Sequence, residues 1–263
     1  HVRAYAAGLA IQGPSRPRND VHLIAEPMQF LRSLLFTAFF LLFTFLYAIF
    51  FVVASLFLPL SGRFVLARFW SKVLLGSLKL TCGLGYSVEG EQNIPPGTHV
   101  ALVKHSSAWE TFAQAAILPS QAWVLKRELT WIPFIGWGLR QLRCIAIDRG
   151  AGGKAVRQMI DEGRDRLDGG QWIVVFPEGT RMPPGETRRF GAGGAAIAQA
   201  TGRMILPVAH NAGYFWPRRG LLKKPGTIRV VIGPPIPTAG RDIRELNEEA
   251  QRFIEAHSGP PPI

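Results

Sequence analysis

The longest apolar stretch of the chain lies between residues 34 and 60, where 27 consecutive residues include no charged side chain. A single helix of that length would be about 40 Å long, which exceeds the roughly 30 Å hydrocarbon core of a bilayer. Arg32 and Arg63 flank the stretch on its two sides, so the flanking charge does not decide an orientation. The pattern predicts a membrane-inserted helix, and both a full span and a helix that enters the bilayer and returns remain open.

A second helical pattern follows in residues 63–80 and combines a basic face with an otherwise apolar surface. At about 100° per residue, Arg68, Lys72 and Lys79 fall within about 40° of one another. Such a helix suits the headgroup layer of an anionic membrane, although a helix packed on a soluble domain can have the same pattern. We interpret residues 30–82 as a two-helix membrane anchor. Residues 1–29 precede it as a basic leader, which we expect to be mobile or in part derived from an expression vector.

Beyond Gly85, short apolar runs alternate with helical stretches, which is the pattern of an α/β domain. For residues 83–257 we expect an α/β fold with a mixed central sheet flanked by helices, and residues 258–263 form a Pro-rich tail. The predicted strands are residues 87–89, 99–103, 122–126, 144–148, 172–176, 204–209 and 228–232. The predicted helices are residues 110–116, 153–167, 191–200 and 243–256.

Composition narrows the kind of partner. The 263 residues carry a formal net charge of +12, and 48% of them are apolar. A strong positive charge favours an anionic partner such as nucleic acid, an anionic membrane or a phosphorylated substrate. The high apolar content favours the membrane, and no aromatic and basic repeat typical of nucleic-acid binding is present. Cys82 and Cys144 are too few for a disulfide framework and have no metal-ligand spacing, which indicates a cytoplasmic setting.

The clearest candidate chemistry follows the apolar run at residues 100–103. His105 comes directly after this predicted strand, and Glu110 lies five residues further on. An imidazole can take a proton from a hydroxyl near neutral pH, and a carboxylate can hold the ring in the required tautomer. Because five residues of one helix would separate the side chains by about 140°, His105 must lie in the turn and Glu110 in the first helical turn. Taken alone, the spacing is also typical of a solvated pair of side chains.

Three further segments place polar groups after predicted strands. Lys126 ends one strand and suits a phosphate, although it is equally typical of an ordinary surface charge. Arg181 closes the sequence Phe-Pro-Glu-Gly-Thr-Arg, which indicates either an anion site or a tight turn with an internal ion pair between Glu178 and Arg181. Pro207 lies within another strand, which implies a sheet edge or a bulge, and His210 at the end of that strand competes with His105 as a base.

Taken together and in this order, these segments resemble the glycerolipid acyltransferase family. The resemblance covers roughly residues 80–236, and extends loosely to the N-terminal helices. The sequence departs from the family pattern at one position, since the first motif usually ends in Asp where Glu110 stands here. The extra methylene group of Glu110 moves its carboxyl group by roughly 1.5 Å.

The resemblance implies transfer of a fatty acyl group from acyl-CoA or acyl carrier protein to the sn-2 hydroxyl of lysophosphatidic acid, giving phosphatidic acid. It implies His105 as the general base and Glu110 as the group that orients it, with no metal and no redox cofactor. The implied acceptor-phosphate site is Lys126, Glu178, Gly179, Thr180 and Arg181, and Pro207 and Val208 are expected to line the acyl pocket.

We expect the cell inner membrane as the location, with the catalytic domain on its cytoplasmic face and membrane lipids as partners. Acylation of another acceptor remains open, such as a lyso-ornithine lipid, another lysophospholipid or glycerol 3-phosphate. A membrane-tethered nucleic-acid binder is a remote alternative.

Overall fold

A computed structural model describes residues 20–261. The predicted leader and tail therefore lie partly outside the described residues. Within the described part, the chain from Asp20 onward is already helical, so the last third of the predicted leader belongs to the first helix.

The N-terminal segment forms two helices, α1 (Asp20–Ser55) and α2 (Leu60–Cys82). The predicted helix over residues 34–60 was wrong at both ends. The chain turns after Ser55, where the Leu56 and Phe57 amides donate to the Val53 and Ala54 carbonyls. Pro59 then precedes α2 with φ −65°, and its ring suits the start of a helix because no backbone N–H is lost there.

Helix α1 is mostly apolar and mostly exposed. Its residues Pro27–Ser55 are long and apolar enough to cross a membrane, and 17% of the most apolar window is buried. It is the one helix of the described residues that meets this description. The length and apolar composition of α1 indicate that the protein associates with a membrane.

Helix α2 packs against the domain more closely than its sequence pattern predicted. Arg68 does not join Lys72 and Lys79 at an exposed face, because its guanidinium donates to the Ala115 and Leu118 carbonyls at 3.3 and 2.9 Å. Lys72 and Lys79 are exposed. The predicted basic face is therefore divided, since Arg68 binds to the end of a helix of the domain.

A seven-stranded mixed sheet forms the centre of the molecule, in the order β1-β7-β6-β2-β5-β3-β4. All neighbouring strands are parallel except β6 and β7. The strands are β1 (Leu84–Glu89), β2 (Val100–Val103), β3 (Gln121–Lys126), β4 (Ile145–Ile147), β5 (Trp172–Val175), β6 (Ile205–His210) and β7 (Gly226–Ile232). The predicted mixed α/β fold is confirmed, and the four-residue strands β2 and β5 are buried throughout.

The helices cover both faces of the sheet. They are α3 (Glu110–Ile117), α4 (Ile135–Gln141), α5 (Gly153–Asp168), α6 (Gly193–Thr201), α7 (Ala212–Phe215) and α8 (Ile243–His257), with 3₁₀ turns at Glu91–Asn93, Arg127–Trp131 and Arg149–Ala151. One core cluster joins α1, α2, α3 and α7 to the sheet, and a second joins α5, α6 and α8 to it. Helices α1 and α2 therefore share one face of the sheet, and the amphipathic helices α5 and α8 lie on the other.

Candidate active site

The carboxyl ends of four neighbouring parallel strands bring the sequence motifs together. β2 leads into His105, β5 into Phe176 and Glu178, β3 ends at Lys126, and β6 ends at His210. These strands lie side by side in the order β6-β2-β5-β3 and run in one direction. The carboxyl edge of a parallel sheet is where α/β proteins bind their ligands.

His105 and Glu110 form a direct hydrogen bond at this edge. His105 lies in the turn before α3, and Glu110 is the first residue of that helix. The His105 Nδ1 atom is 2.9 Å from Glu110 Oε1. The same oxygen accepts from the backbone amides of Ser106 and Ser107 at 2.9 and 2.8 Å. The carboxylate therefore fixes both the imidazole and the turn that carries it.

The surroundings of Glu110 favour its ionised form. Burial alone would raise the pKa of this carboxyl group, but the hydrogen bonds from His105 and from the Ser107 amide hold its pKa below the usual value. An ionised Glu110 requires the proton on Nδ1 of His105, which leaves the Nε2 lone pair to act as a base.

Both ring nitrogens of His210 form hydrogen bonds with backbone groups. Its Nε2 donates to the Lys104 carbonyl at 2.8 Å, and its Nδ1 accepts from the Ala212 amide at 3.3 Å. This pairing assigns the neutral tautomer, and burial lowers the pKa of His210. Since neither nitrogen is available, His210 does not compete with His105 as the base.

An apolar cavity of about 270 Å³ opens beside the His105 ring. The ring stacks on Phe176 with centroids 4.2 Å apart. The sheet, the α3–α4 region and the two N-terminal helices all contribute to the wall, which includes Thr44, Tyr47, Ala48, Phe51, Ala67, Trp70, Trp123, Leu125, Leu129, Ile135, Gly138, Leu139 and Leu142. A cavity of this lining can hold a hydrocarbon chain next to the imidazole.

Two cations, Lys126 and Arg181, line the same cavity. Lys126 is exposed and pairs with Glu128 at 3.0 Å. The Nε atom of Arg181 is buried and has no hydrogen-bond partner among the described residues. Because a buried donor without a partner is costly, this atom is suited to an anionic ligand.

Glu178 is not the ion-pair partner of Lys126 or Arg181. Its side chain is buried, and its Oε1 accepts from Lys104 Nζ and from the His105 amide, both at 3.3 Å. Burial raises the pKa of Glu178 despite the neighbouring Lys104. The structure therefore places Glu178 behind the His105 turn rather than among the residues that line the cavity. Gly179 forms the turn that follows with φ +70°, and Thr180 is half-buried beside Arg181.

Pro207 and Val208 also lie away from the cavity. Both are buried in β6, where they pair with Leu102 and Val103 of β2. Of the two alternatives that a proline within a strand indicates, an edge or a bulge, the edge is excluded because β6 is an interior strand. Pro207 is tolerated because the β6–β7 ladder is interrupted there: regular pairing begins at Val208, and an isolated bridge joins Ile205 to Ile236.

Several residues of the site carried no signal that sequence reasoning could use. Lys104 adjoins His105 but differs from an ordinary surface lysine only in its burial beside Glu178. The Ser106 and Ser107 amides act through the backbone, which residue type does not reveal. The contribution of α1 and α2 to the cavity is a tertiary contact, whereas their sequences indicate only an anchor.

No cluster of three or more His, Cys, Asp or Glu side chains suited to a metal ion occurs within residues 20–261. Cys82 and Cys144 are free and buried, and burial raises the pKa of the Cys144 thiol to about 12. Neither thiol is therefore placed to act as a nucleophile.

A histidine and carboxylate pair next to an apolar cavity can take a proton from a hydroxyl group beside a bound hydrocarbon chain. The family model described as Acyltransferase matches residues 85–211, which contain all four motifs. The chain is 43% identical over 195 residues to the 1-acyl-sn-glycerol-3-phosphate acyltransferase of Pseudomonas aeruginosa, covering 73% of this chain and 76% of the relative. The chain belongs to the acyltransferase family.

Two more distant relatives have the same kind of name. The human 1-acyl-sn-glycerol-3-phosphate acyltransferase alpha is 27% identical over 172 residues, which are 64% of this chain and 61% of that protein. The crystal structure of the 1-acyl-sn-glycerophosphate acyltransferase of Thermotoga maritima superposes with a TM-score of 0.73 at 24% identity, covering 87% of this chain and 95% of that one. The structural likeness supports the fold described above, and the sequence relatives identify an O-acyltransferase.

Proposed function

We propose that this enzyme transfers a fatty acyl group from an acyl thioester to the sn-2 hydroxyl of lysophosphatidic acid, giving phosphatidic acid. The observation that carries the proposal is the His105–Glu110 pair, whose ring faces an apolar cavity that Arg181 and Lys126 also line. The name of the Pseudomonas aeruginosa relative supports the choice of acceptor.

In the proposed reaction, Nε2 of His105 takes the proton of the acceptor hydroxyl as its oxygen attacks the thioester carbonyl. Glu110 stabilises the imidazolium through the 2.9 Å hydrogen bond at Nδ1. The carbon–sulfur bond then breaks, and the departing thiolate recovers the proton from His105. Ser106 and Ser107 are buried within the turn, which supports direct transfer without an acyl-enzyme intermediate.

The acceptor phosphate is assigned to Arg181 and Lys126. The unpartnered Nε of Arg181 would donate to a phosphate oxygen, and Lys126 would add a point charge at the exposed rim. The Gly179 turn and Thr180 shape this end of the site. Glu178 supports it from behind, because it holds the His105 amide and Lys104 rather than the substrate.

The acyl chain is assigned to the apolar cavity, and its thioester carrier is acyl-CoA or acyl carrier protein. Both carriers are anionic, which suits the net charge of +12. Every proposed step uses protein side chains, and we assign no metal and no redox cofactor to the reaction.

Helices α1 and α2 together form the proposed membrane anchor. α1 supplies the apolar surface, and α2 exposes Lys72 and Lys79 beside Val65 and Phe69, a mixture suited to the headgroup layer. We place the enzyme at the cell inner membrane with the sheet domain on the cytoplasmic face. Both the acceptor and the product are lipids, so an anchored active site meets them where they reside.

The test is acyl transfer by the full chain in detergent, with radiolabelled acyl-CoA and acyl carrier protein as donors. The acceptors are lysophosphatidic acid, glycerol 3-phosphate, lysophosphatidylethanolamine and a lyso-ornithine lipid. We expect phosphatidic acid from lysophosphatidic acid, abolished by His105→Ala and retained by the control His257→Ala on α8.

If only another acceptor were acylated, the assignment of lysophosphatidic acid as the substrate would be wrong, and the proposed mechanism would stand. Full activity of His105→Ala would overturn the mechanism. Salt-dependent retention on DNA without any acyl transfer would instead favour a membrane-tethered nucleic-acid binder.

A further inference from the structure

The segment between β3 and β4 exposes a group of large apolar side chains, of which Leu129 alone also lines the cavity. Leu129, Trp131, Ile132 and Trp137 are 43, 62, 41 and 45% exposed. We call these four residues the aromatic ridge. Four large apolar side chains exposed within nine residues of a water-facing loop would be unusual, and such patches mark contact surfaces.

The ridge is held in a fixed shape. The Ile135 amide donates to the Pro133 carbonyl and the Gly136 amide to the Ile132 carbonyl, both at 2.7 Å. A Cβ atom at Gly136 would lie 2.4 Å from the Thr130 carbonyl oxygen, so the two ends of the turn touch. A hydrogen-bonded and closely packed turn therefore carries the exposed side chains.

The ridge continues the exposed apolar face of α1. The Phe134 ring, which contacts Trp137 at 4.9 Å, also meets Phe45 of α1 at 5.9 Å, edge to face. Gly138 packs closely against Phe51 of α1. Leu42 and Leu46 on α1 are 62 and 54% exposed. The contact between Phe45 and Phe134 therefore joins the exposed apolar face of α1 to the ridge.

Positive charge lies beside the ridge. Lys126 and Arg127 precede it and form exposed ion pairs with Glu128 and Asp148, and the Arg127 guanidinium lies 6.0 Å from the Trp131 ring centroid. Arg140 follows it and donates to Thr130. Exposed tryptophans flanked by Lys and Arg are typical of segments at the boundary between acyl chains and anionic headgroups.

We propose that the aromatic ridge inserts into the acyl–headgroup boundary of an anionic bilayer next to α1, as a second membrane contact made by the catalytic domain itself. The proposal rests on the membrane association in the proposed function. Leu129 and Ile135 of the same segment line the cavity. The ridge therefore places this part of the cavity wall at the acyl–headgroup boundary, where a lysolipid acceptor resides.

The test places a fluorophore at the ridge of the full chain. Ile132→Cys is labelled with an environment-sensitive nitrobenzoxadiazole thiol reagent, because both native cysteines are buried. Leu46→Cys on α1 is the membrane reference, and Ala256→Cys is the matched exposed control on α8, across the sheet. Unsubstituted protein measures background labelling.

In phosphatidylglycerol vesicles we expect a blue shift at positions 132 and 46, and none at position 256. Lipids brominated near the top of the acyl chain should quench the label at position 132 at least twofold more than at position 256. A label at position 132 that behaves like position 256, while position 46 is quenched, would overturn the proposal. A blue shift at position 132 that needs high protein concentration and no lipid would assign the ridge to a second copy of this chain.

An activity measurement adds an independent readout. Trp131→Ala should lower the rate on vesicle-borne lysophosphatidic acid several-fold, through a higher apparent KM, and leave the rate in mixed detergent micelles near that of the unsubstituted enzyme. Equal rates on vesicles would contradict the proposal. The fluorescence result needs no turnover, so failure of the ridge and failure of the proposed reaction can be told apart.

Discussion

A single carboxylate oxygen joins three parts of the site. Glu110 Oε1 accepts from the His105 ring and from the Ser106 and Ser107 amides, all within 2.9 Å. Because all three partners are donors, the position requires a group that only accepts. Glu110 has a longer side chain than the Asp that the family pattern usually has at this position. It contacts the His105 ring from the first residue of α3.

We predict that Glu110→Gln lowers kcat by about 10²–10⁴-fold, because the amide would turn a donor toward the turn or toward His105 and favour the wrong tautomer. The KM for the acceptor should change little, since Glu110 is buried and does not line the cavity. Steady-state kinetics in detergent micelles measures both constants.

Glu110→Asp is the matched control for that change. It keeps the charge but shortens the reach by roughly 1.5 Å, so an intermediate loss is expected. A glutamine variant with unaltered kcat would remove Glu110 from the mechanism.

His210 gives a prediction about pH. Burial depresses its folded-state pKa, while the unfolded chain has the ordinary value near 6.5. Below about pH 6.5, His210 is therefore protonated in the unfolded chain but remains neutral in the folded protein. The stability contributed by His210 is present above that pH and is lost as the pH falls.

His210→Phe should remove this part of the pH dependence and cost about 1–3 kcal/mol at pH 7.5, because the Lys104 carbonyl and the Ala212 amide lose their partner. Thermal unfolding at pH 7.5 and 5.5 checks both effects. If the variant loses as much stability on acidification as the unsubstituted protein, another group causes the acid sensitivity.

At the scale of elements, α1 is both a membrane helix and a wall of the site. Ala48 faces the cavity, whereas Val53 on the same helix is exposed. We predict that Ala48→Phe fills part of the 270 Å³ cavity and shifts the preferred donor to shorter acyl chains.

Val53→Phe, which adds the same kind of side chain to the outer face of α1, should leave the preference unchanged. Competition among acyl-CoA donors of graded length measures the shift. Identical donor profiles for the two variants would mean that the acyl chain binds elsewhere.

The elements themselves were largely predictable because their signals are local. Alternation of apolar runs and helical stretches located all seven strands to within a few residues, and the strand-to-helix turn placed His105 and Glu110 correctly. The short helices α4 and α7 were missed because seven and four residues are too few for a helical period to show.

The remaining errors are tertiary. Arg68 has the spacing of an exposed basic face, but the free carbonyls at the end of α3 bind it. Glu178 has the sequence context of a ligand-binding turn, yet Lys104 and the His105 amide hold it behind that turn. Pro207 indicates an edge or a bulge, and the interrupted ladder beside β7 shows that the edge alternative does not hold. In each case the deciding partner lies far away in sequence.

At the scale of the whole molecule, α1 is bound into the domain as well as exposed to the membrane. The Lys223 ammonium donates to the Ser33 and Leu221 carbonyls and lies 4.6 Å from the Trp216 ring centroid. Phe36 is fully buried against the same tryptophan. The inner face of α1 is therefore part of the domain core, and its outer face is available to lipid.

These two faces predict two different outcomes of altering α1. Deletion of residues 1–59 should leave an unstable chain without acyl transfer, even in detergent, because it removes Phe36 from the core and Thr44, Tyr47, Ala48 and Phe51 from the cavity wall. A combined change of Leu42, Leu46 and Phe50 to Ser alters only exposed positions. That variant should retain near-normal activity in detergent micelles while a larger fraction leaves the membrane on fractionation.

Membrane fractionation, thermal unfolding and a micelle assay of both proteins distinguish these outcomes. If the deleted chain were stable and active in detergent, α1 would be an anchor alone. The cavity wall and the binding of Lys223 to α1 would then have no part in catalysis.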